Sequence, residues 1–331
     1  MIGQDAQEIE KKLLSILKVL VDSSEPLGGR IIAHRLQDYG VAMGERTVRY
    51  HLKLMDERGL TRLVGKDGRL ITERGAEELK DAMVGGKVGL AITRIELLAF
   101  RTNFDCAGRT GQIPVNVSFF KKEKFNKALQ QMKPIFAAGL CVSDRVATAN
   151  EGEKLGDLIV PEGCIGLATV CSIIINGALL KSGIPMDSRF GGILQIQDNK
   201  PFRFVELIHY SGSSMDPSEV FIRARMTSVK EAARNGNGKV LANFREIPAL
   251  CRPTVEKVML ELEVAGISGL LLMGNTSEMI CQIPVELNRV GMILYGGLNP
   301  VAAVEESGIE VKTHAMSTVM EYEDLIKIRE L

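Results

Sequence analysis

The chain has 331 residues, 45% hydrophobic and 25% charged, which is enough for two or three domains with buried cores and excludes a disordered chain. Lys and Arg balance Asp and Glu at 41 each, so a globally basic surface is excluded and any nucleic-acid contact must come from a local patch. The polar, acidic start and the lack of a long apolar run predict a cytoplasmic protein without a membrane span.

The N-terminal part follows the order helix, helix, turn, helix and hairpin. Apolar residues recur at helical spacing up to Leu20, and a second helix is predicted over about Arg30 to Asp38. The turn "VAMGE" leads into a third helix with an apolar stripe. The strand-like pieces "LTRLV" and "RLIT" then flank "GKDG", a tight hairpin turn. This order predicts a winged helix-turn-helix over residues 1–84.

The third helix carries a polar face opposite its apolar stripe. Such side chains reach phosphates and base edges when a helix lies in a major groove. Between Gly28 and Arg74, ten Lys or Arg stand against six Asp or Glu, a net charge of +4 in a neutral chain. The predicted contacts with double-stranded operator DNA are Arg46, Thr47, Arg49, Tyr50, Lys53 and, at the hairpin tip, Lys66.

One recognition helix reads one half-site, so a homodimer or a larger even assembly is expected. A protein-interaction adaptor that uses the winged helix for partners is the alternative to DNA binding.

A short helix, "ERGAEELKDAMV", precedes the glycine pair Gly85 and Gly86, which we interpret as a hinge. Beyond it, Gly-rich turns separate alternating strand and helix patterns. This alternation predicts an α/β domain over residues 85–331, with the whole chain α+β in composition.

Two segments of this second domain repeat one another. At a shift of 127 residues, "GQIPVNVSFF" falls on "GKVLANFREI", which places Asn116 on Asn243 and Ser118 on Arg245. At a shift of 125, "VPEGCIGLATVCSIIINGALLKSGI" falls on "VELNRVGMILYGGLNPVAAVEESGI". We therefore predict an internally duplicated, pseudo-two-fold effector-sensing domain. Its repeats span about 90–190 and 217–320, joined by a β-hairpin segment, with a cleft between the halves.

Groups for catalysis or metal binding are scarce. The chain has four histidines, its six cysteines form no C-x-x-C pair, and no H-E-x-x-H, G-x-S-x-G or P-loop motif is present. We predict no catalytic residues, no metal site, no cofactor and no enzymatic activity. A metabolite-binding enzyme with a winged-helix appendage is the alternative.

The matched strand-to-helix junctions are the best candidates for a ligand site, one at Cys171 and Ser172 and one from Gly296 to Pro300. Helix N-termini present free N–H groups to anions, so two such ends suit a small dicarboxylate or two monoacids. Ordinary capping by Ser172 and Asn299, with no ligand, is the alternative. The predicted effector-binding residues are Cys171, Ser172, Asn176, Arg189, Gly297 and Asn299.

Arg189 corresponds to His314 in the two repeats, and Arg245 to Ser118. A cation is wanted opposite a carboxylate, but a surface position is the commoner fate of an arginine. We expect it for Arg245 and keep it as the alternative for Arg189.

The strings "TVCSIIINGALLKSGIP", "RFGGIL", "MDPSEVFIRARMTSV", "LANFREIPA" and "GGLNPVAAVEESGI" resemble the NrpR family of archaeal nitrogen repressors. The resemblance covers essentially the whole chain, with a winged helix and one sensor domain. It implies a repressor of nitrogen-assimilation genes that binds palindromic operators as an oligomer and is released by the effector 2-oxoglutarate. Where the family's two-sensor form has a second sensor domain, this chain has none. Action alone and pairing with a homologous second subunit therefore both stay open.

Overall fold

The computed structural model describes residues 2–21, 23, 25–38, 41–82 and 89–331, with side chains for 9–21, 23, 25–37, 41–79 and 89–331. The chain divides into two compact units, Met1–Lys87 and Val88–Leu331. The hinge predicted at Gly85 and Gly86 lies outside the described residues. In the part that is described, no helix has the length and apolar character needed to cross a membrane.

The first unit has four described helices and one hairpin. These are α1 (Ile2–Val21), α2 (Gly29–Asp38), α3 (Glu45–Glu57), β1 (Thr61–Val64), β2 (Gly68–Ile71) and α4 (Glu73–Ala82). The apolar stripe of α3, formed by Val48, Leu52 and Met55, is fully buried against Leu17 of α1 and the rest of this core. The predicted winged-helix layout is confirmed, because the apolar stripes at helical spacing pack against one another in this core.

The hairpin is fixed to the helices at two points. Leu27 and Arg69 exchange backbone hydrogen bonds of 3.0 Å, which adds a third short strand to β1 and β2. Asp56 of α3 accepts from Thr61 Oγ1 at 2.6 Å and from Arg69 Nε at 2.7 Å. Gly68 is required here, since it has a φ of +128° and a Cβ would lie 2.3 Å from the Leu27 backbone.

The second unit contains seven α-helices, four short 3₁₀ helices and twelve strands among the described residues. The helices are α5 (Leu90–Arg101), α6 (Phe125–Ala137), α7 (Ile173–Lys181), α8 (Pro217–Arg223), α9 (Val229–Asn235), α10 (Arg252–Val264) and α11 (Asn299–Glu306). The longer strands are β3 (Gln112–Lys121), β4 (Arg145–Asn150), β7 (Cys164–Val170), β8 (Asp187–Gln197), β9 (Lys200–His209), β10 (Gly238–Pro248), β11 (Leu270–Thr276), β12 (Arg289–Tyr295) and β13 (Lys312–Glu321). The short ones are β5 (Lys154–Leu155), β6 (Leu158–Ile159) and β14 (Ile326–Lys327).

Two five-stranded sheets organise this unit, in the orders β13-β3-β7-β4-β14 and β11-β12-β10-β8-β9. β8 follows α7 along the chain, yet it pairs with β10 of the second half. β13 follows α11, yet it pairs with β3 of the first half. Each half therefore places its last strand in the sheet of the other. The mixed fold class is confirmed, and the strand pairs are antiparallel rather than parallel.

Corresponding strands of the two sheets are paired in the same register. Ser118 of β3 lies opposite Thr313, and Arg245 of β10 lies opposite Ser188. Thr313 follows Ser188 by 125 positions, the same shift that aligns the repeats in the sequence. The β8–β9 hairpin turns at Asp198 and Asn199, whose φ angles of 50° and 61° suit a type I′ turn. Positions that correspond in the sequence therefore occupy corresponding places in the two sheets.

Candidate functional site

The outer face of α3 has the exposure that a recognition helix needs. Arg46, Thr47, Arg49, Tyr50 and Lys53 are all exposed. Lys66 is exposed in the turn between β1 and β2. The structure thus leaves every predicted DNA-contacting side chain open to solvent.

Arg49 is already partly engaged within the helix. Its Nη2 lies 2.6 Å from Glu45 Oε1, one turn earlier, and its stem covers Gly29, where a Cβ would lie 2.9 Å from Arg49 Cγ. His51 is buried instead. This burial is the main cause that lowers the pKa of its imidazole, and the charge of Lys12 lowers it further. The charged surface of α3 is therefore confined to the side away from the core.

The second unit contains a small polar cavity of about 20 Å³, which is space for one water-sized group. Both helix starts chosen from the sequence lie on it, since its lining includes the residues before α7 and before α11. The polar lining residues are Asn116, Cys171, Ser172, Tyr210, Asp216, Ser218, Asn243 and Arg245, and backbone lining comes from Gly296, Gly297 and Leu298.

Arg245 is the largest fully buried side chain among the described residues, with 1% of its surface exposed. Its Nη1 donates to the carbonyl oxygen of Phe244 at 3.3 Å, and its guanidinium lies 4.9 Å from the centre of the Tyr210 ring. Its Nε has no hydrogen-bond partner, and no carboxylate of the described residues pairs with it. Burying an unpaired cation is costly, so a polar cavity holding one is suited to an anion.

The expectation that Arg245 lies at the surface is therefore wrong. β10 is the central strand of its sheet, with β12 on one side and β8, received from the first half, on the other. That exchange of strands is not visible in the residue pattern of β10 alone.

A chain of hydrogen bonds closes the cavity. The Tyr210 hydroxyl donates to Asn243 Oδ1 at 2.6 Å, and Asn243 Nδ2 donates to Ser172 Oγ at 3.0 Å. Asn116, the counterpart of Asn243, instead accepts from the backbone N–H of Met316 at 3.0 Å. Ser172 belongs to the first half and Asn243 to the second, so this bond ties the halves together.

Burial also sets the protonation of the other cavity groups. It raises the pKa of Cys171 to about 12, and it raises the pKa of the Tyr210 hydroxyl as well. Burial likewise raises the pKa of Asp216, while hydrogen bonds from Ser218 oppose that change. Cys171 and Tyr210 are therefore neutral near pH 7.

Of the six predicted effector residues, the structure brings Cys171, Ser172 and Gly297 together at the cavity. Ser172 sits at the N-cap of α7, but its side chain makes no capping bond and instead accepts from Asn243. The cysteine contributes an inert thiol and the serine a hydroxyl.

Asn176, Arg189 and Asn299 do not line the cavity, so the structure does not bring them together with the other three. Asn176 lies one turn further along α7, where its Nδ2 donates to Ser188 Oγ at 3.0 Å. Arg189 is held among three carboxylates, at 2.7 Å from Glu286, 3.0 Å from Asp187 and 3.8 Å from the buried Glu246. Glu246 follows Arg245 on β10, so their side chains point to opposite faces of the sheet. Arg189 therefore lies on the face of Glu246 and not on that of Arg245.

Asn299 is the first residue of α11 and not its cap. Its Oδ1 accepts from the N–H of Leu241 at 2.8 Å, and its Nδ2 donates to the carbonyl oxygen of Leu241 at 3.0 Å. The amide thus adds to the pairing of Leu241, whose carbonyl oxygen also accepts from the N–H of Gly296, the residue after β12, at 2.9 Å. Its role in this structure is to satisfy a buried backbone position.

Gly297 lies at a close approach between the two halves. A Cβ there would stand 2.3 Å from the carbonyl oxygen of Val170 and 2.7 Å from Asn116 Nδ2. A substitution such as Gly297→Asp, which the sequence suggests as a way to repel an anion, would therefore disrupt the junction itself.

Sequence reasoning missed six polar residues of the cavity, which are Asn116, Tyr210, Asp216, Ser218, Asn243 and Arg245. A signal for two of them existed, because the repeat alignment places an asparagine at the same point of two apolar strands. A charged pair inside "LANFREIPA" was a second signal, since a buried strand seldom carries one without a partner.

Comparisons with known proteins agree with both units. Residues 88–327 match the family model of the NrpR regulatory domains NRD1 and 2, and residues 14–79 match the ribonuclease R winged-helix domain. A crystal structure of a nitrogen repressor-like protein from Methanococcus jannaschii aligns with a TM-score of 0.61 at 27% identity. That alignment covers 72% of this chain and 98% of the other.

Curated relatives match nearly the full chain. The global nitrogen regulator NrpRI of Methanosarcina mazei is 40% identical over 97% of this chain and 99% of its own length. The global nitrogen regulator NrpR of Methanocaldococcus jannaschii is 34% identical, and that of Methanococcus maripaludis is 31% identical. The chain spans 56% and 55% of the lengths of these two relatives.

A winged helix joined to a separate, sheet-rich unit with an enclosed polar cavity is the organisation of a transcription regulator. The relatives are named as regulators and not as enzymes, which supports the prediction that this chain is not an enzyme. The chain belongs to the NrpR family of nitrogen regulators, as its sequence strings indicate.

Proposed function

We propose that this protein represses nitrogen-assimilation genes by binding operator DNA, and that 2-oxoglutarate bound at the Arg245 cavity releases it. The observation that carries the proposal is the buried guanidinium of Arg245, whose Nε has no hydrogen-bond partner, in a cavity that is also lined by residues preceding two helices. Family membership supports the nitrogen-regulatory role.

DNA binding is assigned to the exposed face of α3 and to Lys66 in the hairpin turn. The guanidinium groups of Arg46 and Arg49 suit base edges and phosphates, and the hydroxyl of Tyr50 suits a phosphate. A palindromic operator requires two copies of this helix, so the acting species is a homodimer, alone or with a homologous second subunit. Sedimentation of the purified chain as a monomer at micromolar concentration, with and without operator, would contradict the dimer.

The effector is assigned to the cavity because the carboxylates of 2-oxoglutarate suit the groups that line it. One carboxylate pairs with Arg245 and meets the N-terminal ends of α7 and α11, where partial positive charge favours an anion. A space of about 20 Å³ cannot hold a five-carbon dicarboxylate, so binding must open the cavity. Opening breaks the bond between Asn243 and Ser172 and moves one half against the other.

Repression is relieved because this movement changes the arrangement of the sensor units, and through it the spacing of the recognition helices in the dimer. The test is fluorescence anisotropy with an operator selected from a random DNA pool, titrated with and without 2-oxoglutarate. The proposal predicts tight binding that 2-oxoglutarate weakens. An affinity that is the same with and without 2-oxoglutarate would contradict it.

A further inference from the structure

The cavity holds two ionisable side chains of opposite charge that do not neutralise each other. Arg245 is 1% exposed and Asp216 is 9% exposed, and both line the same space without forming an ion pair. Asp216 Oδ1 accepts from the backbone N–H of Ser218 at 2.7 Å, as the N-cap of α8. A ligand between these two groups meets a cation on one side and a carboxyl group on the other.

A cation and a carboxyl group in one cavity suit the carboxylate and the adjacent carbon of 2-oxo acids and 2-amino acids. Both carry a carboxylate, which Arg245 can bind in either case. They differ at the neighbouring carbon, where the oxo oxygen only accepts hydrogen bonds and the ammonium only donates them. A protonated Asp216 can donate to the oxo oxygen, whereas an ionised Asp216 can accept from the ammonium.

We propose that Asp216 is the specificity-determining residue of the cavity and that its protonation decides between a 2-oxo acid and the corresponding 2-amino acid. The inference rests on the proposed effector site at Arg245 and adds a second ligand class to it. A 2-amino dicarboxylic acid then competes with the 2-oxo acid at one site, so the protein responds to the ratio of the two.

The neighbours of Asp216 make this protonation adjustable. Burial and the charge of Glu219 raise its pKa, whereas hydrogen bonds from Ser218 and the charge of Arg245 lower it. Cys171 and Tyr210, which also face it, stay neutral because burial raises the pKa of each. Rising pH therefore converts Asp216 from a donor to an acceptor and shifts preference from the oxo acid to the amino acid.

The test is calorimetric titration of the full chain with 2-oxoglutarate and with glutamate from about pH 5.5 to about pH 8.5, a range over which neither probe changes its charge. In the wild type, the affinity ratio of 2-oxoglutarate to glutamate should fall as pH rises through the raised pKa of Asp216. Asp216→Asn keeps a helix-capping oxygen and an N–H donor. It should bind 2-oxoglutarate, lose glutamate affinity by about tenfold or more and show no pH dependence of the ratio.

Glu219→Gln is the matched control, because it removes a charge one turn away while its amide oxygen can still accept from Ala315. It should keep a pH-dependent preference, with the change moved to lower pH, because a charge that raises the pKa of Asp216 has been removed. An Asp216→Asn variant with the wild-type ratio at every pH overturns the role of Asp216 and leaves the effector site standing. A wild type that binds neither probe overturns the proposed function, and this inference with it.

Discussion

Arg245 and Ser118 occupy equivalent positions in the two sheets of the sensor unit, yet only Arg245 brings a charge to its half. Ser118 Oγ is engaged with Thr313 Oγ1 at 3.2 Å, while Arg245 Nε has no partner. The pseudo-two-fold is therefore broken where a ligand would bind. If a dicarboxylate binds in this cavity as proposed, Arg245 gives it one strong anchor, and we expect one orientation.

Gly297 is predicted to be intolerant of any side chain. The Cβ of Gly297→Ala would lie 2.3 Å from the carbonyl oxygen of Val170, so backbone must move. Overpacking of this kind costs about 1–3 kcal/mol or more in the free energy of unfolding, measured by urea denaturation. Gly212→Ala is the control, since nothing lies within 4 Å of its added Cβ. Equal stability of the two variants would show that the junction is not tightly packed.

Asp216 is predicted to make stability fall with pH. Burial raises its native pKa, while its pKa in the unfolded chain stays near about 3.9. Between these values the native state holds more protons, so the free energy of unfolding decreases as pH rises, and below both values the group contributes nothing.

Asp216→Asn removes this titration while retaining an N-cap on α8. Its melting temperature should exceed that of the wild type by more at about pH 8 than at about pH 4, as measured by thermal unfolding. A difference that is the same at both pH values would show that Asp216 does not titrate abnormally.

The recognition face of α3 is predicted to carry specific DNA binding. Replacing Arg46 and Arg49 together by alanine should weaken operator binding by about 1–3 kcal/mol for each residue that reads a base, measured by anisotropy. Arg58→Ala is the matched control, because Arg58 follows the end of α3 and pairs with Glu10 at 2.7 Å. If the double variant and Arg58→Ala bind operator equally well, the assigned face is wrong.

Glu45 is predicted to restrain DNA binding. Its Oε1 lies 2.6 Å from Arg49 Nη2, so Glu45→Gln removes a repulsive charge and frees the guanidinium. Exposed ion pairs are worth up to about 1 kcal/mol, so operator affinity should rise by about two- to fivefold and the gain should shrink at high salt. Glu10→Gln, which frees Arg58 instead, should bind as the wild type does. Unchanged affinity of Glu45→Gln would mean that Arg49 does not contact DNA through this group.

Features fixed by local spacing could be predicted from the sequence. The stripe of Val48, Leu52 and Met55 dictates which face of α3 is buried, because helical periodicity alone decides it. The helix starts at Ser172 and Gly297 could also be found, since strand, glycine and helix patterns are local.

Features fixed by strand pairing could not be predicted. Nothing in the sequence around Arg189 and Arg245 distinguishes the one that faces the cavity. That is decided by the pairing of β8 with β10 and by the face of the sheet to which each side chain points. The sequence likewise could not show that Asn299 completes the pairing of Leu241, because that depends on where β12 ends.

The most direct test of the account is calorimetric titration of 2-oxoglutarate into the wild type and Arg245→Gln, each free and bound to operator. The wild type should bind, and operator should weaken that binding by the same factor by which 2-oxoglutarate weakens operator binding. Arg245→Gln should lose about 1.5–3 kcal/mol of effector affinity while retaining DNA binding, and Ser118→Ala should bind as the wild type does. Full effector affinity in Arg245→Gln, or wild-type affinity that operator leaves unchanged, would contradict an effector site at Arg245 that controls DNA release.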